Sequence, residues 1–362
     1  MNFTLHLTEG CNLACTYCPN PKSKKRMSEE TLNAACELAF SRGKSAGFCF
    51  FGGEPLLEKE LIYKALDRCA ELAAEKNMKT SYRMTTNGTL LDSGFIKRAK
   101  SVGMVIGISF DGLAQDETRR FANGGGTLSA VSEKAKLLLS EMPYSYAMMT
   151  VAPSAVPKYC DSVKYLYSLG FRRIIATVAY GNRVHWTDED MPRLREQLES
   201  LAKFYSDILV TGERFYFSPF DSKIGDCIKD RNPDDHCHLG FRQMPIDTDG
   251  RIYPCTQFIG DPDWCVGNVF DGINVKKQIE ISRRGTTPTE CAECALNKRC
   301  TNACGCTNRL ETGDENRVSP FQCSYQQMLI EISDRMAERL CKEHYDMFVR
   351  HFAPVSDSTV RR

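Results

Sequence analysis

Three thiols fall within eight residues near the start of the chain: Cys11, Cys15 and Cys18, in "EGCNLACTYCPNP", directly behind the strand-like run "FTLHLT". Three is an odd ligand count. A closed tetrahedral zinc site takes four ligands and a disulfide takes two. Thiolates suit soft metals, among them zinc, copper(I) and iron–sulfur clusters. A four-iron cluster held by three thiolates would leave one iron open to a small-molecule ligand.

A second concentration of thiols lies late in the chain. It reads Cys237-x12-Gly250-x4-Cys255, then Cys291-x2-Cys294-x5-Cys300-x3-Cys304, then Cys323. The chain holds 18 cysteines in 362 residues, and eleven of them lie from Cys227 onward. Polar "TEGCN" follows the short start at once, so no signal peptide is expected. A long chain without an export signal is expected to be cytoplasmic, where clustered thiols bind metal more often than they pair as disulfides.

The elements that must position these thiols alternate. The runs "FTLHL", "GFCFF", "TSYRMTT", "MVIGISF", "YSYAMMTV" and "RRIIATVAY" read as strands. Between them lie amphipathic stretches such as "SEETLNAACELAFSRG", with Ser28 as its N-cap and Gly43 as its close. Parallel strands need helical crossovers, so six such repeats predict an α/β fold, a partial (β/α)6 TIM-like barrel over residues 1–211. An open doubly wound sheet is the competing architecture. From about residue 212 helical periodicity lapses while Cys, Gly, Asp and Pro rise, so residues 212–325 form a cysteine-rich domain organised by bound metal. A helix over 326–352 and a disordered tail over 353–362 complete the chain. Lys+Arg of 47 against Asp+Glu of 46 argues against a general nucleic-acid or anionic-membrane binder. No apolar run approaches the roughly 18–20 residues a membrane span needs.

The C-x3-C-x2-C array with Tyr17 before its last cysteine resembles the cluster loop of the radical S-adenosylmethionine superfamily. The resemblance implies that Cys11, Cys15 and Cys18 hold a [4Fe–4S] cluster whose open iron chelates S-adenosylmethionine. It also implies reductive cleavage of that cofactor to a 5′-deoxyadenosyl radical. "FFGGEP" is similar to the family's GGEP element and assigns Gly52, Gly53, Glu54 and Pro55 to the cofactor's amino group. A carboxylate complements an ammonium, and glycines admit close backbone approach. By the same resemblance Asn87 of "TTNGTLL" is a polar cofactor contact, and Ser109 and Asp111 of "GISFDG" lie on the ribose side. In "TRRFANGGGT" either Arg119 or Arg120 meets the cofactor carboxylate, Arg120 being preferred.

The late cysteines resemble a SPASM domain, the extension of many family members that modify peptides. That resemblance implies two auxiliary [4Fe–4S] clusters. The first would take Cys237, Cys255 and Cys304, completed by Cys227. The second would take Cys291, Cys294, Cys300 and Cys323. A structural zinc site on Cys291, Cys294, Cys300 and Cys304 is the simpler alternative. Cys36, Cys49, Cys69, Cys160 and Cys341 read as buried inert thiols. Cys265 and Cys306 are spare thiols or substitutes for Cys227.

Two relatives compete for the reaction. One group matures ribosomally made peptides by thioether or carbon–carbon crosslinks. The other, the anaerobic sulfatase-maturating enzymes, oxidises Cys or Ser to formylglycine, and its pattern places an aspartate after the "YPC" cysteine. Here Thr256 stands at that position, and its hydroxyl cannot take up a proton at neutral pH. The peptide-maturase reading is therefore preferred. Only ten residues precede Cys11, so no fused leader-recognition domain is expected, and a separate recognition protein is one partner implied. A flavodoxin or ferredoxin is the implied reductant. If a base is needed, Asp221 and Asp247 are the candidates. The remaining alternative is a non-catalytic iron–sulfur or zinc-binding protein, for which strand-end polar residues have no use.

Overall fold

The computed structural model describes residues 1–20, 22–229, 239–241, 243–284, 288–302 and 304–353. Cys237 lies outside the described residues, as does the tail beyond residue 353. In chain order the first elements are β1 (Asn2–His6), β2 (Leu13–Cys15), α1 (Glu29–Ala39), β3 (Ser45–Phe51), α2 (Lys59–Lys76) and β4 (Lys79–Thr86). Then come α3 (Ser93–Ser101), β5 (Val105–Ser109), α4 (Gln115–Thr118), β6 (Arg119–Phe121), α5 (Leu128–Glu141), β7 (Tyr146–Val151), α6 (Tyr159–Ser168) and β8 (Arg173–Val178). All six strands expected from the sequence are present.

The later elements are α7 (Asp190–Val210), β9 (Tyr216–Phe217), α8 (Ser218–Ile228), β10 (Met244–Ile246), β11 (Arg251–Ile252), β12 (Gly267–Asn268), β13 (Gly272–Ile273) and α9 (Val275–Arg284). Helices α10 (Gly305–Thr312), α11 (Pro320–Glu343) and α12 (Tyr345–Phe352) follow. The single final helix read from sequence is thus two. Ser319 caps α11 by accepting from the Gln322 N–H, with Pro320 at the first position. His344, with φ −140°, breaks the run before α12.

The chain forms two compact units interleaved in sequence. The first comprises residues 1–110, 119–145 and 237–286; the second comprises 111–118, 146–236 and 287–362. In the first unit β1 pairs in parallel with β3, β3 with β4, and β4 with β5, each return made by a helix. Phe3, Leu5, Phe48, Phe50, Met84, Ile106 and Ile108 share one face by this register and are buried. The opposite face carries Thr4, His6, Cys49 and Thr85 together with Phe51, so one side of the sheet is wholly oily and the other mixed. Helix α1 begins as expected, with the Ser28 hydroxyl accepting from the Thr31 N–H at 3.0 Å, but ends at Phe40 rather than Gly43.

The segment read as a metal-organised loop region contributes β10, which adds in parallel beside β1 (Phe3↔Met244, Leu5↔Ile246). Three residues give too short a period for sequence pattern to reveal. Strands β11 to β13 continue from it as an antiparallel meander. In the second unit β7, β8 and β9 run parallel. Helices α7, α8 and α11 pack together around Tyr205, Phe217 and Phe220, all buried. No described helix is long and apolar enough to cross a membrane.

Candidate active site

The cluster loop leaves β1 and is clamped by its own backbone. Met27 N–H donates to Leu7 O at 2.8 Å and Glu9 N–H to Lys25 O at 2.9 Å, closing residues 8–26 into a neck. Inside it β2 pairs antiparallel with β6, bringing Cys15 opposite Arg119 and Ala14 opposite Arg120. Cys11, Cys15 and Cys18 are all half-buried. The Leu13 N–H donates to Cys11 Sγ at 3.4 Å, and Asn87 Nδ2 lies 3.9 Å from the same sulfur. Burial pushes the Cys11 thiol up, while the Leu13 N–H and the Lys22 ammonium pull the other way. The donor set is therefore three soft sulfurs on one short loop with N–H groups aimed at one of them, which fits an iron–sulfur cluster. Among the described residues no three His, Cys, Asp or Glu side chains are grouped to hold a single metal ion.

The glycines of "FFGGEP" serve a closer purpose than cofactor access. A Cβ on Gly53 would lie 2.0 Å from Gly10 O, and one on Gly52, where φ is +128°, would lie 2.6 Å from Thr8 O. Gly53 N–H and Glu54 N–H donate to Thr8 O and Gly10 O at 2.7 and 2.8 Å. The pair thus holds the root of the cluster loop against the end of β3. Pro55 then starts a short 3-10 turn capped by Glu54.

Glu54 is fully buried. Its Oε1 accepts from Thr86 Oγ1 at 2.6 Å and from the Leu56 N–H at 3.1 Å, and its Oε2 from the Asn87 N–H at 2.7 Å. Loss of solvation outweighs these donors and lifts the carboxyl to about 7. Asn87 in turn donates to Asn12 Oδ1 at 2.8 Å, while Thr89 donates to Asn87 Oδ1 and accepts from Asn12 Nδ2. Asn12 and Thr89 were not singled out in the sequence. Asn12 directly follows Cys11 and Thr89 closes "NGT", but only folding brings two residues 77 positions apart together.

Strand alternation separates the two arginines. Arg119 is buried and its guanidinium lies 5.2 Å from the centre of the Tyr17 ring. Arg120 faces outward and donates to Gly124 O at 3.1 Å. The preferred arginine is therefore the one the structure turns away from the loop. Ser109 ends β5 half-buried. Asp111 belongs to the second unit and is buried, with Oδ1 accepting from the Thr150 N–H at 2.8 Å and Oδ2 from Thr118 Oγ1 at 2.7 Å. It fastens β7 to the turn after β5.

Both base candidates are occupied by structural partners. Asp221 Oδ2 accepts from Tyr205 Oη and the Phe217 N–H, and Oδ1 lies 3.0 Å from His351 Nε2. Asp247 closes a tight turn, with Oδ1 accepting from the Asp249 and Arg251 N–H groups and Oδ2 paired with Arg251 Nε at 3.0 Å. Thr256 opens a short 3-10 turn beside Cys255.

Cys291, Cys294, Cys300 and Cys323 all belong to the second unit. Cys300 and Cys323 are each raised by burial and further by Cys291; Cys323 also feels Cys294. Lys223 Nζ donates to Arg299 O at 2.7 Å and Arg299 pairs with Asp334 at 2.8 Å, which pins Cys300 between α8 and α11. A cavity of about 330 Å³ lies there, bordered by Ser218, Lys223, Cys300, Cys304 and Tyr325. Cys227 and Cys304 lie in this unit and Cys255 in the first. Cys265 donates to Gly267 O at 3.3 Å, and the buried Cys36 and Cys69 sulfurs lie 3.6 Å apart between α1 and α2.

A loop of three thiols behind a parallel strand, braced by a Gly-Gly-Glu-Pro turn, places this chain in the Radical SAM superfamily, whose family model matches residues 5–198. The superfamily uses S-adenosylmethionine and a [4Fe–4S] cluster, so the chain is an enzyme rather than an electron carrier or a zinc module. Among particular proteins, it is 24% identical over 324 residues to a cysteine-type anaerobic sulfatase-maturating enzyme of Clostridium perfringens, covering 82% of this chain and 86% of that one. Its fold matches native anSMEcpe with bound AdoMet at TM-score 0.79 and 21% identity, covering 94% of this chain and 100% of that one. It also matches Streptococcus suis SuiB bound to S-adenosylmethionine at TM-score 0.63 and 17% identity, covering 89% and 76%.

Proposed function

We propose that the chain cleaves S-adenosylmethionine reductively and uses the 5′-deoxyadenosyl radical to modify a side chain of a peptide or protein, as in crosslinking a ribosomally made peptide. The observation that carries this reading is the braced three-thiol loop, with Asn87 and the buried Glu54 converging on its root. A cluster bound by Cys11, Cys15 and Cys18 would supply the single electron that breaks the sulfonium bond. Glu54, already near half-ionised at neutral pH, returns to its charged form when the cofactor's ammonium comes beside it. Arg119, rather than Arg120, takes the role of carboxylate partner, because it stands opposite Cys15 and beside Tyr17. Ser109 is assigned to the ribose side. Residues 1–211 serve as the radical domain and residues 212–325 as a SPASM domain.

Two auxiliary [4Fe–4S] clusters complete the proposal, one on Cys291, Cys294, Cys300 and Cys323, the other on Cys227, Cys237, Cys255 and Cys304. They would accept the electron left on the product. A flavodoxin or ferredoxin would reduce the enzyme in the cytoplasm, and a separate leader-recognition protein would deliver the substrate. Solved relatives have been captured with a Cp18Cys peptide and with the precursor peptide SuiA, which supports a peptide substrate. Sulfatase maturation is the second reading, favoured by the Clostridium perfringens relative and opposed by Thr256.

The test is anaerobic reconstitution with iron and sulfide, comparing wild type with a Cys11→Ala, Cys15→Ala, Cys18→Ala variant. The expected result is about twelve irons against about eight, four per cluster, with 5′-deoxyadenosine only from wild type. No deoxyadenosine with S-adenosylmethionine under any reductant overturns the reading.

A further inference from the structure

Residues of β8, α8, α10 and α11 border the cavity of about 330 Å³, and all of them belong to the second unit. Three of its side chains are more than nine-tenths buried and leave hydrogen-bonding capacity unmet. Asn302 is 4% exposed; its Nδ2 donates to Asn297 Oδ1 at 3.0 Å, which fixes the amide's orientation, and its Oδ1 has no donor among the described residues. Gln326 of α11 is 7% exposed, and its Oε1 is likewise without a donor. Tyr325 beside it is 4% exposed, and burial alone lifts its hydroxyl, with no hydrogen bond acting on it. Buried acceptors in folded chains are nearly always paired, so two of them at one cavity point to an occupant that donates. Val178, Pro219 and Leu329, all buried, supply apolar wall. Among the bordering side chains Lys223 alone carries a fixed charge, and its ammonium already donates to Arg299 O at 2.7 Å.

We propose that this cavity is a specificity pocket for one uncharged aromatic side chain of the substrate, tyrosine or tryptophan, an inference that rests on the reading of a peptide substrate. Its volume is at the lower end for a ligand pocket, which suits a single large side chain. A carboxylate would find no unengaged cation there, and an ammonium no anion. Tyrosine and tryptophan carry an apolar body for the walls and an O–H or N–H that needs an acceptor when buried. Asn302 Oδ1 and Gln326 Oε1 are such acceptors, and Tyr325 Oη can donate or accept.

The full chain, reconstituted anaerobically with iron and sulfide, is titrated into the millimolar range with N-acetyl-tyrosinamide and N-acetyl-tryptophanamide, followed by ligand-detected nuclear magnetic resonance. The aromatic amides should bind, and N-acetyl-alaninamide should not. Free tyrosine, with two charges the cavity cannot pair, should bind more weakly than its capped form. Gln326→Leu should weaken binding about tenfold, as for one lost hydrogen bond, while its thermal midpoint holds or rises because an unpaired buried oxygen is gone. Leu329→Trp, which fills the space, should abolish binding. No binding of either aromatic amide, equal binding of alaninamide, tighter binding of free tyrosine, or unaltered affinity in Gln326→Leu overturns the proposal. Binding confined to the iron-free chain also overturns it, by giving the space beside Cys300 and Cys304 to a cluster. Deoxyadenosine formation in the same preparation tests the radical reading separately, since binding of these probes needs no electron.

Discussion

Glu54 gives the sharpest quantitative expectation. Its carboxyl is lifted from an ordinary 4.5 to about 7 by burial, against three donors that pull it down. A raised carboxyl binds its proton more tightly in the folded chain than in the unfolded one. Folding therefore loses stability as pH rises through the window from about 4.5 to about 7 and is insensitive to this group above it. At 1.36 kcal/mol per unit, the loss across the window is about 3 kcal/mol. Glu54→Gln cannot titrate, so the difference in unfolding free energy between wild type and variant should change by that amount across the window. Because one amide hydrogen-bonding edge now opposes a donor, the variant should also carry a constant penalty of about 1–3 kcal/mol. Urea unfolding of both proteins at half-unit steps from pH 5 to 8, without S-adenosylmethionine, measures both terms. Parallel curves would refute the reasoning, since they would mean the Glu54 carboxyl does not titrate in that range.

Gly53→Ala should displace the root of the cluster loop, because its Cβ meets Gly10 O at 2.0 Å; iron bound per chain should drop, with about 1–3 kcal/mol lost in unfolding experiments. Gly225→Ala is the control: beyond its chain neighbours and its own helix backbone nothing lies within 4 Å of its added Cβ in α8, and stability should rise by up to about 1 kcal/mol. Arg119→Ala should weaken S-adenosylmethionine binding measured by calorimetry and cost about 0.5–2 kcal/mol through the lost Tyr17 contact. Arg120→Ala, at an exposed position, should leave both within about 0.5 kcal/mol of wild type. Asp221→Ala should lower thermal stability through Tyr205 and the Phe217 N–H while leaving deoxyadenosine formation in place.

Cysteine spacing and the alternation of strand and helix are legible in the sequence, because both are short-range. C-x3-C-x2-C fixes three sulfurs on one loop, and a period of two or of 3.6 declares an element from its own residues. The six strands follow from these alone, and the cysteine spacing carries the resemblance that names the superfamily. What the sequence could not give was the direction in which a side chain points. Arg119 and Arg120 are neighbours, and only the pairing of β6 with β2 decides that the first lies beside Tyr17 and the second faces solvent. Asp111, Asp221 and Asp247 are carboxylates of the right type, but their oxygens go to backbone N–H groups and to Thr118, Tyr205 and Arg251, partners that folding delivers. The glycines of "FFGGEP" declare close backbone approach, and tertiary packing shows that the backbone of residues 8–10 is one partner of that approach. Residue types and spacing set which chemistry this chain can hold; the register of its strands and the packing of its turns decide which side chains are left to perform it.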